Sequence, residues 1–138
     1  MDLIFDSQVL RHRDRDALPE PVLASIAGYY HRATTTSRPM GLVIAVVMAI
    51  LMGTLGFRFA LGADPVRLLC VAAVLAGVPI LLAAIRTVPN AKRLGNRIGS
   101  PVEQSRLAQA ICRDHLVCLA SMSAFLVVWV ATARLGIP

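Results

Sequence analysis

The segment Cys112-Arg113-Asp114-His115, with Cys118 three residues beyond the histidine, is the densest set of reactive side chains in this 138-residue sequence. Cys112, His115 and Cys118 fall three apart, so on one helix they share an arc of about 120°. Thiolate and imidazole could serve a metal ion or a haem iron. One helix supplies too few ligands, and a site would need others such as His31. No metal or cofactor is therefore expected, and the two cysteines read as small apolar packing residues. Asp114 and His115 are also an acid and a base at the edge of an apolar run. Such a pair could move protons at a membrane surface. Neighbours on a helix point about 100° apart, so each needs a partner from elsewhere. Tyr29, Tyr30 and His31 are the available candidates. A catalytic site would thus combine His31, Asp114 and His115, with Tyr30 in support. The competing reading makes them interface residues that anchor a helix at the water boundary.

Three apolar runs must position these groups: 40–57, 68–85 and 116–133, none with a formal charge. Eighteen helical residues reach roughly 27 Å, near the ~30 Å hydrocarbon thickness. The expected fold is an all-α integral membrane bundle, with three transmembrane helices and an N-terminal amphipathic surface helix in one membrane domain. A hydrophobic fraction of 57% and a mean hydropathy of +0.67 agree with that class. The absence of any ionisable residue inside the runs argues against a self-contained pump or transporter. No P-loop, dinucleotide fingerprint, HExxH or serine elbow occurs.

The net charge is +6. Residues 1–39 carry Arg11, Arg13, Arg15, Arg32 and Arg38. Residues 86–115 carry Arg86, Lys92, Arg93, Arg97, Arg106 and Arg113. Only Arg58, Arg67 and Arg134 lie at the other helix ends. The positive-inside rule then places the N-terminus and 86–115 in the cytoplasm and the C-terminus outside, across the cell membrane. Arg86, Lys92, Arg93 and Arg97 are the expected contacts for anionic lipid headgroups. No nucleic-acid motif accompanies the charge, so no nucleic-acid partner is expected. Leu3-Ile4-Phe5 is too short for a signal h-region, and the first span is expected to direct insertion. Cys70 lies across the bilayer from Cys112 and Cys118, so no disulfide framework is expected.

Along the chain, 1–16 reads as a charged tail. Residues 17–37 read as the surface helix, with Asp16 as N-cap and Leu18, Val22, Ile26 and Tyr29/Tyr30 as its apolar stripe. The first span, 40–61, carries Gly41, Ala45, Ala49 and Gly53 four apart on one face, the pattern of close helix packing in lipid. A short turn with Asp64 as a cap before Pro65 joins it to the second span, 66–86. Pro79 predicts a kink there. Residues 87–100 read as a basic cytoplasmic loop. Ser100-Pro101-Val102-Glu103 is a capping box, opening one long helix over 101–134 that contains the third span. Trp129 suits an interfacial anchor.

The order of elements over 18–133 resembles the anthrone-oxygenase-like family of small polytopic membrane proteins, most of unassigned function. The matching pieces are Tyr30-His31-Arg32 before a span, Val88-Pro89-Asn90 with Arg93-Leu94 after the hairpin, and Arg113 with His115 before the last span. Members typically have four spans where three are found here, and Cys118 stands at the family's usual Arg position. The resemblance implies a membrane helical fold and, in a few members, oxidation of small aromatic polyketides without an obvious cofactor. Two functions follow. The first is an accessory or self-associating subunit of a membrane complex, with the bilayer, further copies or other membrane subunits as partners. The second is a membrane-bound oxidoreductase or oxygenase acting on a small lipophilic substrate at the cytoplasmic face.

Overall fold

The structure, a computed structural model, describes residues 3–12, 17–36 and 38–135. The described residues form helices and turns: α1 (Leu3–Arg11), α2 (Glu20–Thr35), α3 (Arg38–Ala60), α4 (Val66–Leu82), a π turn (Ala83–Thr87), α5 (Val88–Gly95) and α6 (Pro101–Leu135). Three stretches are long and apolar enough to cross a membrane: Gly41–Ala60, Val66–Gly95 and Pro101–Arg134. The chain is an all-α membrane bundle. It divides into two compact units, Met1–Pro39 with Leu82–Leu116, and Met40–Leu81 with Val117–Pro138.

The first unit has a conventional apolar core. In α2, Leu23, Ile26, Ala27 and Tyr30 follow helical spacing and are all buried. Their partners are Ala91 and Leu94 of α5 and Ala108, Ile111 and Cys112 of α6. The apolar stripe expected to lie on lipid is therefore taken up by protein. At Gly95 the α2 and α5 backbones touch: a Cβ there would sit 2.7 Å from the His31 amide nitrogen. Ser105, fully buried, ties the entry to α2 onto α6. Its hydroxyl accepts from the Leu18 N–H at 2.9 Å and donates to the Pro101 carbonyl at 2.7 Å.

The charged tail is corrected over part of its length, because 3–11 is helical. Phe5 and Val9, one turn apart, pack into the same core, and Phe5 stacks on Tyr29 with centroids 4.6 Å apart. Arg13, Arg15 and the proposed cap Asp16 lie outside the described residues. The following helix begins at Glu20, with Pro19 at its N-cap position and no side-chain cap bond.

The basic loop is corrected too. Residues 88–95 form α5, and only 96–100 turn. The departure from α geometry comes earlier, in the π turn, where the Val88 N–H bonds the Ala83 carbonyl five residues back. Pro89 explains its place. An α-helical Pro89 would have no N–H for Ile85 and would press its ring on that carbonyl. A wider turn just upstream relieves the clash and lets the helix continue. The segment that follows is held in helix by burial of Ala91, Leu94 and Gly95. The capping box is present as read: the Ser100 N–H donates to Glu103 Oε2 at 2.7 Å and the Glu103 N–H to Ser100 Oγ at 3.3 Å.

The second unit has a smaller core. Leu55, Leu69, Ala72 and Ala76 are buried, with Leu51, Met52, Met122, Phe125 and Trp129 against them. Asp64, read as a cap, gives both oxygens to Arg58, at 2.5 and 2.8 Å. Arg58 also lies over the Trp129 ring, 5.7 Å from its centroid. Gly41, Ala45, Ala49 and Gly53 are all exposed. A Cβ at Gly41 or Gly53 would meet nothing within 4 Å. The small-residue face thus packs on nothing among the described residues.

Candidate functional site

The polar residues that precede the third apolar run form two clusters, both inside the first unit. Asp114 anchors one. It projects from α6 toward the π turn and is 2% exposed. Its Oδ2 meets Arg86 Nε at 3.4 Å and Thr87 Oγ1 at 3.2 Å. Thr87 Oγ1 also reaches the Leu82 carbonyl at 3.2 Å, so its one proton serves either acceptor. The π turn thus brings two consecutive side chains to one carboxylate. A buried carboxylate without such partners would be costly. This arrangement fastens α6 to the end of the second apolar stretch.

His115 anchors the other cluster. Its Nδ1 lies 2.8 Å from Asp6 Oδ2, and Asp6 is 4% exposed. Asp6 thereby fixes the orientation of the imidazole ring, and in the neutral tautomer with its proton on Nδ1 the remaining acceptor of the ring is Nε2. A carboxylate that orients a histidine in this way is a common preparation for general-base work. Cys112, one turn earlier, also faces α1: its Sγ is 3.8 Å from the Asp6 carbonyl. Burial first, and the nearby Asp6 charge second, push the Cys112 thiol up to about 11. It is accordingly a protonated packing group at neutral pH, a poor nucleophile and a poor metal ligand.

The expected catalytic residues are distributed as follows. Asp114 turns to Arg86 and Thr87, and His115 to Asp6. Tyr30 lies in the core with its ring edge-on to Tyr29, centroids 5.2 Å apart. His31 is exposed on α2. Among the described residues no hydrogen bond or ion pair joins His31, Asp114 and His115 to one another. No three His, Cys, Asp or Glu side chains gather as metal ligands among the described residues, and Cys112, His115 and Cys118 form no such group.

The expected headgroup cations separate into two kinds. Arg86 is committed to Asp114, and Arg97 pairs with Glu20. Lys92 and Arg93 remain exposed on α5. Asp6 and Thr87 were not legible as site residues. Asp6 does carry a signal in retrospect, an acid at helical spacing beside Phe5 and Val9. Its pairing with His115, 109 residues away, carries none. No protein-family model, curated protein or solved structure matches this chain.

Proposed function

We propose that this chain is a small membrane subunit that associates with further copies of itself or with other membrane subunits, seated in the cell membrane with its basic segments on the cytoplasmic side. The observation that carries the reading is the open α3 face. Gly41, Ala45, Ala49 and Gly53 lie exposed four apart, and among the described residues nothing comes within 4 Å of a Cβ built at either glycine. In lipid, apolar surface alone gives helices no reason to associate, whereas small residues let backbones pack closely. The partnered state of Asp114 fits a structural role in the same way. Native mass spectrometry from mild detergent tests the proposal. A defined oligomer, or a stoichiometric partner, is expected, and Gly53→Ile should release it. A wild-type monomer throughout would overturn it.

A second reading rests on the Asp6–His115 pair. A histidine oriented by a carboxylate could, in its neutral form, take a proton from a lipophilic phenol or anthrone in a membrane oxygenase, as the family resemblance implies. Oxygen uptake with an anthrone substrate, lost in His115→Gln with the helical content unchanged, would support it. No uptake, or uptake indifferent to His115, would remove it.

A further inference from the structure

The cationic side chains of α6 that precede the third apolar run are Arg106 and Arg113, and both are exposed. Seven residues apart, they lie on one face of α6. Neither makes an ion pair among the described residues. Glu103, one turn before Arg106, is held by the Ser100 N–H in the capping box. Between α6 and α1 these arginines border an open groove of about 430 Å³, whose apolar lining includes Val9, Leu10, Ala110 and Leu116. Leu10 and Leu116 remain 44% and 42% exposed there. Cations and uncovered aliphatic surface therefore share one concavity.

The position of the groove along α6 selects its occupant. Leu116 is the first residue of the uncharged run 116–133. Arg113 precedes it by about 4.5 Å of helix rise. Headgroups occupy roughly 5–7 Å beyond each hydrocarbon edge, so Arg113 falls in the layer of lipid phosphates. Arg106 lies further out, by about two turns. A soluble anion would leave Leu10 and Leu116 wet, and a neutral lipid would leave both guanidinium groups without a counter-charge.

We propose that the α1–α6 groove binds one anionic phospholipid, its phosphate on Arg113 and its first acyl carbons over Leu10 and Leu116, with Arg106 adding positive charge from beyond the headgroup layer. The proposal rests on the membrane-spanning reading of 116–133 and not on which side of the membrane the groove faces. It moves the lipid contact from Arg86 and Arg97, which have carboxylate partners, to Arg113, which makes no ion pair among the described residues.

The test uses the whole chain in nanodiscs made of equal parts phosphatidylcholine and phosphatidylglycerol. Native mass spectrometry of the released protein counts the lipids retained. Retained phosphatidylglycerol should exceed phosphatidylcholine. Arg113→Gln should cut that preference by about fivefold, as expected for ~1 kcal/mol per basic residue at an anionic surface, and Arg106→Gln should cut it less. Ala110→Trp, which keeps both charges and fills the groove, should cut it as well. Equal loss in Lys92→Gln/Arg93→Gln would show general surface charge and overturn the site. So would an unchanged preference in the double arginine variant, or displacement of the lipid by excess glycerol phosphate. Failure of the wild-type chain to enter nanodiscs would overturn the membrane reading itself, a separate result.

Discussion

At the scale of single residues, two positions decide how the first unit holds together. Gly95 is a helical residue that propensity alone would replace with alanine to advantage. The contact with the His31 main chain reverses that sign, because backbone cannot move aside as a side-chain tip can. Gly95→Ala is expected to destabilise by about 1–3 kcal/mol, read from thermal melts in nanodiscs. A variant as stable as wild type would mean that α2 and α5 do not approach as described. The second position is Asp114. Removing Arg86 leaves a buried carboxylate with Thr87 alone. Arg86→Met should therefore cost about 1–3 kcal/mol, while adding Asp114→Leu should return part of that loss. Additive effects in the double-mutant cycle would show the pair to be uncoupled. The sequence marked Asp114 and His115 as unusual, since they are charged or titratable at the lip of an apolar run. It did not mark Asp6, Arg86 and Thr87 as their partners, because those pairings depend on which helices pack side by side.

At the scale of elements, the tip of the α3–α4 hairpin offers a titration with a built-in reporter. Hydrogen bonding to Arg58 holds the Asp64 carboxyl below its ordinary value of 3.8. The contact is therefore in place above that pH and is lost as the pH falls through the lowered value in the folded chain. Arg58 lies over Trp129, the one tryptophan of the sequence. Its emission should shift in acid below pH 3.8, and Asp64→Asn should show the shifted state already at neutral pH. An emission indifferent to both would exclude the contact. Elements with local signals were legible: the capping box at Ser100 and Glu103 placed the start of α6 correctly. Those stabilised from a distance were not. α1 looked like a tail because its charges are near in sequence while its apolar contacts, Tyr29 and the α6 face, are far. Segment 88–95 looked like a loop because Pro89 and Gly95 normally break helices, whereas here a π turn accommodates one and a backbone contact requires the other.

At the scale of the whole molecule, the uneven division of charge predicts a topology. A reporter active only outside the cytoplasm should work at the C-terminal end and fail at the N-terminal end, and the reverse pattern would overturn the orientation. The same scale shows what the π turn means for inheritance. Deleting one residue such as Ala84 would turn the π turn into plain α geometry with little rotation of α5, because a π turn is one extra residue taken up within an α-helix. Ala91, Leu94 and Gly95 would keep their face toward α2, but the Pro89 ring would press on the Ile85 carbonyl. An extra residue in the turn at 61–63 would add only a little closure entropy. Homologues are therefore expected to tolerate insertions and deletions at that hairpin tip, and to lose a residue between Leu82 and Val88 only together with the proline at 89, a pattern that an alignment of relatives would expose.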